Sequence, residues 1–136
     1  MIDAAYRPRI LEPTYPFGTG PVVLVDAGHN AFHARDEHFA QLADILLQDG
    51  YRAVMLRDAY SARALAGADV LIVVNALADR DVDNWALPTS PAFTPEEISA
   101  VREWVENGGS LLLIADHMPF PGAAADLGRV FGVEFM

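Results

Sequence analysis

The chain has 136 residues, 19 of them acidic and nine basic, a formal net charge of −10 and no cysteine. Without cysteine there is no thiol nucleophile, no disulfide framework and no thiolate-ligated metal. All the basic residues are arginine, which removes lysine Schiff-base chemistry and the P-loop lysine. The arginines are scattered and the acidic surface repels polyanions, so nucleic acid is not an expected partner.

This length suits one domain. No apolar run approaches the ~20 residues of a membrane helix, so direct membrane insertion is not expected. Met1-Ile2-Asp3 does not open a basic region followed by an apolar stretch. The expectation is a cytoplasmic protein by default, or a periplasmic one if a leader has been removed.

Residues 1–21 carry Pro8, Pro13, Pro16, Gly18, Gly20 and Pro21 and read as an extended arm with turns. Tyr6, Ile10, Leu11, Tyr15 and Phe17 suggest that this arm packs on the body. The α/β domain is expected over 22–136. Its first strand is Val22 to Val25, a non-alternating apolar run buried on both faces.

A helix is expected from Asp36, its cap, to Gln48, with Phe39, Leu42, Ala43, Leu46 and Leu47 at helical spacing and Gly50 as its stop. Ala53 to Leu56 is the second strand, and Ser61 to Leu65 a short helical or turn segment. Val70 to Val74 is a central strand. A long polar loop follows, from Ala76 to Phe93.

Thr94-Pro95-Glu96-Glu97 predicts a helix start with a capping box and Pro at the first position. Ile98, Val101, Trp104 and Val105 form the buried stripe of that helix, and Gly108-Gly109 end it. Ser110 to Ala115 is the fourth strand and Pro121 to Phe131 a last helix. Val133-Glu134-Phe135 is expected to begin one more strand, so that the chain would be shortened at its C-terminus and would offer an edge for pairing between copies. This alternation predicts a three-layer, flavodoxin-like fold with a mostly parallel central sheet.

Chemistry concentrates after the strands. Asp26, His29, Asn30 and His33 follow the first, Asn75 the third, and Asp116 and His117 the fourth. In a parallel sheet these ends share one rim, where open α/β folds place ligands. Asp26 or Asp116 with His29 or His117 could act as acid and base. Asp26, His29 or His33, and Asp116 or His117 are the candidate ligands of a divalent transition metal, although no cofactor is required. The competing reading makes the carboxylates bind loop N–H groups, with the histidines holding loops.

Asn30, Asn75 and Gly122 are the candidate ligand-binding positions. Gly122 stands where a helix N-terminus could hold an anion, although Ala123-Ala124-Ala125 could equally serve close packing. Trp85 and Phe93 make the long loop either a lid or a strap pinned to the core. Asp79, Asp81 and Asp83 alternate like calcium ligands, but Asn84 and Ser90 stand where the turn glycine and bidentate glutamate belong. There is no GxGxxG turn and no GxSxG elbow.

The order Asp26-Ala27-Gly28-His29-Asn30, Leu71 to Asn75, Phe93 to Gly109 and Leu111 to His117 resembles the class I glutamine-amidotransferase-like superfamily, in particular a bacterial branch that lacks the catalytic cysteine. The resemblance covers residues 22–135. In that family a Cys occupies a strand end corresponding to a position near Asn75 or Asp116, and neither is Cys here. The resemblance therefore implies a non-catalytic ligand-binding or assembly domain, with a small molecule or a protein as partner. The alternative is a metal-assisted or acid–base hydrolase built on Asp26, His29, Asp116 and His117.

Overall fold

A computed structural model describes residues 9–31 and 37–135. It contains four strands, β1 (Val22–Asp26), β2 (Arg52–Leu56), β3 (Val70–Val74) and β4 (Ser110–Ile114), and three α-helices, α1 (Glu37–Gln48), α2 (Pro95–Glu106) and α3 (Phe120–Arg129). The sheet order is β2-β1-β3-β4, and every neighbouring pair is parallel. This is the beginning of the flavodoxin-like order.

Alternation along the strands divides the side chains between two layers. Val23, Val25 and Ile72 pack with Leu42 and Leu46 of α1. Leu24, Leu71 and Val73 face the other way, onto Val101 of α2 and Ala124 and Leu127 of α3. Both faces of β1 and β3 are therefore apolar, which explains their unbroken hydrophobic runs. Ala123 and Ala124 are fully buried, so the alanines of α3 let that helix lie close to its neighbours.

Helix α2 begins as its sequence predicts. Thr94 Oγ1 accepts from Glu97 N–H, and the Glu97 side chain accepts from Thr94 N–H, with Pro95 in the first turn. Between β2 and β3 the chain forms turns, and Tyr60 and Leu65 from this connection enter the core.

The described part of the arm, 9–21, is packed on the body as expected, but mainly through hydrogen bonds. Tyr15 N–H donates to Asp49 O, Gly20 N–H to Gly50 O, and Thr14 N–H to Asp49 Oδ1. Tyr15 also meets Tyr51 edge-on at 5.3 Å. Leu11 and Phe17, expected to help anchor the arm, are 87% and 83% exposed.

Val133-Glu134-Phe135 does not form the expected strand. Val133 N–H instead donates to Gly128 O, closing the end of α3, and Phe135 packs against the main core. Among the described residues, β4 is the last strand on this side of the sheet. No helix among the described residues is long and apolar enough to cross a membrane.

Candidate functional site

Because all four strands are parallel, Asp26, Asn75 and Asp116 lie at the same, C-terminal rim. The two acid–histidine turns nevertheless differ in environment. Strand β3 stands between β1 and β4, so the two strand ends are about 10 Å apart across the sheet.

Asp26 belongs to the same register row as Leu56 and so faces the layer of α2, where it is completely buried. Its Oδ1 accepts from Gly28 N–H at 3.1 Å and pairs with His29 Nδ1 at 2.9 Å. His29 Nε2 pairs with Glu97 Oε1 at 2.8 Å. The same Glu97 oxygen accepts from Tyr60 N–H at 3.1 Å, and Oε2 accepts from Thr94 N–H at 2.9 Å. Glu97 thus caps α2 and binds the loops after β1 and β2 at once.

The His29 ring also lies against Tyr60 and Phe93, with centroids 4.5 Å and 4.9 Å away. Only 10% of its side chain is exposed. Both ring nitrogens face carboxylates, and only the imidazolium can donate to both. Burial opposes the charged ring, but the bonds and charges of Asp26 and Glu97 outweigh it and raise the His29 pKa. Glu97 is shifted the other way: burial disfavours its charge, and the bonds from Thr94, His29 and Tyr60 more than compensate. Burial, followed by the charge of Asp26, pushes the Tyr60 phenol up. The Tyr60 hydroxyl and Asp26 Oδ2 are both buried without a hydrogen-bond partner.

The fourth-strand turn is open. His117 Nδ1 pairs with Asp116 Oδ1 at 2.7 Å, and the two side chains are 55% and 56% exposed. Asp116 N–H donates to Asn75 Oδ1 at 3.2 Å. Desolvation works against the Asp116 carboxylate, but the bonds from His117 and Asn75 prevail and lower its pKa. Trp85 approaches the His117 ring at 6.1 Å and Phe120 at 5.4 Å, both edge-on. Phe93, by contrast, is buried and pins the loop to the core, so of the two aromatics proposed as a lid only Trp85 lies over the rim.

The other candidates serve mainly to join loops. Asn30 and Asn75 have φ of 48° and 51°, the left-handed region that asparagine tolerates better than most residues. Asn30 Nδ2 donates to Asp79 Oδ1 at 2.7 Å, and Leu77 N–H donates to His29 O at 2.8 Å. These bonds bridge the loops after β1 and β3, across the crevice where the strand order reverses.

Gly122 abuts Thr89, whose Oγ1 would lie 2.9 Å from an added Cβ. Phe120 N–H is already bonded to His117 O, and Pro121 has no N–H, so little of the donor set expected of an anion site at Gly122 is available. Asp81 turns inward, its Oδ2 accepting from Ser90 N–H at 2.8 Å. Ser90 also accepts from Arg80 Nε.

His33 lies outside the described residues. Among the described residues, no group of three His, Asp or Glu side chains is placed to hold a metal ion. Of the described members of that set, Asp26 and His29 turn toward α2 while Asp116 and His117 are exposed to solvent. Sequence reasoning missed Glu97 and Tyr60. Glu97 is already accounted for as a capping residue, and nothing local signals that the same carboxylate also reaches a histidine 68 positions away. Compared with family models, curated proteins and solved structures, the chain shows no match.

Proposed function

We propose that this is a non-catalytic ligand-binding or assembly domain with an amidotransferase-like fold, and that its contact point is the rim corner formed by Asp116, His117 and Trp85. The observation that carries this reading is the contrast in exposure between the two histidines, 10% for His29 and 55% for His117. His29 has both nitrogens committed and no room to touch a substrate. The open corner offers a carboxylate, an imidazole and the indole of Trp85, together with the exposed Met118. The end of β3 carries no thiol or hydroxyl but Asn75, buried and bonded to the backbone after β4. A small molecule with polar donors and an apolar face suits such a corner, as does a protein loop of the same chemistry.

Amide chemical-shift mapping with small amine, polyol and carboxylate fragments tests this reading. The expected shifts fall on residues 116–120 and on the loop around Trp85, and are lost in His117→Ala. Shifts centred on His29, or none at the corner with any fragment class, would overturn it.

The acid–base hydrolase reading is favoured by one observation. Asp116 holds His117 by Nδ1, which leaves Nε2 as the nitrogen available to a substrate. Ester hydrolysis by the wild type that disappears in both His117→Ala and Asp116→Asn would favour that reading over simple binding.

A further inference from the structure

We infer that the rim corner of Asp116, His117 and Trp85 binds a primary ammonium group carried on a short apolar chain. This rests on the reading of that corner as the contact point and names the chemistry of its ligand.

The rings of the corner are held in place from below. Phe120, completely buried at the start of α3, meets the His117 ring at 5.0 Å and the Trp85 ring at 5.4 Å, both edge-on. The two outer rings are 6.1 Å apart. One buried ring thus sets the exposed indole beside the exposed imidazole. Met118, 46% exposed, adds an apolar side chain next to Gly122.

The polar groups of Asp116 and His117 accept. Both oxygens of an ionised carboxylate are acceptors, and in a neutral imidazole protonated at Nδ1 the other nitrogen is an acceptor too. Asp116 Oδ1 engages His117 Nδ1 at 2.7 Å, which selects that tautomer. Desolvation opposes the Asp116 charge, but the bonds from His117 and Asn75 prevail and keep the carboxylate ionised. A ligand held here has to bring donors, and against a carboxylate a cationic donor makes the stronger bond. An ammonium beside the indole also gains cation–π attraction that a neutral alcohol does not.

The surroundings favour a cation over an anion. The loop from Ala76 to Phe93 carries Asp79, Asp81 and Asp83 against Arg80 alone, and Arg80 Nε is bonded to Ser90 Oγ. Arginine is absent from Asp116 to Ala125. Helix α3 begins at the corner, and a helix start attracts anions through its N–H groups. Here most of that donor set is spent. Phe120 N–H bonds to His117 O, Ala123 N–H bonds to Pro119 O, and Pro121 has no N–H.

Amide chemical-shift titration with n-pentylamine and its analogues 1-pentanol, pentanoate and pentyltrimethylammonium tests the proposal. Pentylamine should shift residues 116–120 and the loop around Trp85. It should bind at least about tenfold more tightly than the alcohol or the quaternary ion, because it alone combines charge with N–H donors. Pentanoate should not bind. Asp116→Asn should weaken pentylamine at least about tenfold and leave pentanol unchanged, whereas Trp85→Ala should weaken both. A blocked peptide containing one lysine separates the two sources of such a group. Binding of the peptide assigns the site to a polypeptide side chain and binding of pentylamine alone to a free amine, and either upholds the proposal. Equal affinity for all four small probes, or a preference for pentanoate, would keep the contact point but overturn the ammonium assignment. No shift at the corner with any probe would overturn both.

Discussion

His29 and Glu97, 68 positions apart in sequence, are joined by a 2.8 Å bond between Nε2 and Oε1. With Asp26 on the other ring nitrogen, this bond fastens the loop after β1 to the first turn of α2. The loop after β2 joins through Tyr60 N–H. A histidine positioned like a catalytic residue is thereby a tie between three segments.

Removing the tie leaves buried carboxylates without their cation. His29→Ala should destabilise the fold by about 3–5 kcal/mol, the range for breaking a buried ion pair from one side. His29→Gln, which can still donate one hydrogen bond, should lose less. Urea denaturation of both variants checks the order. Equal stability of His29→Ala and wild type would contradict it.

The same tie sets a pH optimum. The His29 pKa is raised on folding, so its contribution is complete below the unfolded value of about 6.5 and declines as pH rises toward the folded one. The Glu97 pKa is lowered, so its contribution is complete above about 4.3 and is lost as pH falls toward the folded value. The tie should therefore be strongest between those two values and weaken on either side. Stability measured against pH should lose its alkaline decline in His29→Gln and keep more of it in Thr94→Ala, where only about 1 kcal/mol of capping is removed.

Gly50 governs the docking of the arm. Its φ is +88°, and a Cβ there would stand 2.2 Å from Tyr15 O. Gly50→Ala should destabilise by at least about 2 kcal/mol through left-handed strain and the backbone clash. Faster proteolysis within residues 9–21 should accompany it. An arm as protected as in the wild type would contradict this assignment.

At the open corner the expectation reverses. His117→Ala and Trp85→Ala remove side chains that are about half exposed, and should change stability by no more than about 1 kcal/mol. Thermal melts check this directly. A large loss would make the corner part of the scaffold and remove the reason for reading it as a contact point.

Much of this architecture is legible in the sequence because its causes are local or periodic. The runs at Val22 and Val70 are apolar throughout because helices cover both faces. Thr94-Pro95-Glu96-Glu97 contains every part of its own cap. The common rim of Asp26, Asn75 and Asp116 follows from parallel topology. What the sequence does not reveal is direction within the site. Asp26 faces α2 because of its place in the strand alternation, and the partner it finds there is a glutamate already explained by another role. Val133-Glu134-Phe135 has a strand's composition, but here Phe135 finds core contacts and Val133 closes α3, so no pairing occurs.

The central claim is that His29 is a clamped, doubly bonded imidazolium while His117 is the histidine open to a ligand. Nitrogen-15 NMR of the histidine rings across pH tests it most directly. The account predicts that His29 holds protons on both nitrogens beyond the ordinary histidine range and does not respond to added fragments, whereas the His117 ring responds to them. A His29 ring that is neutral below that range, or that shifts with the fragments while His117 does not, would contradict it.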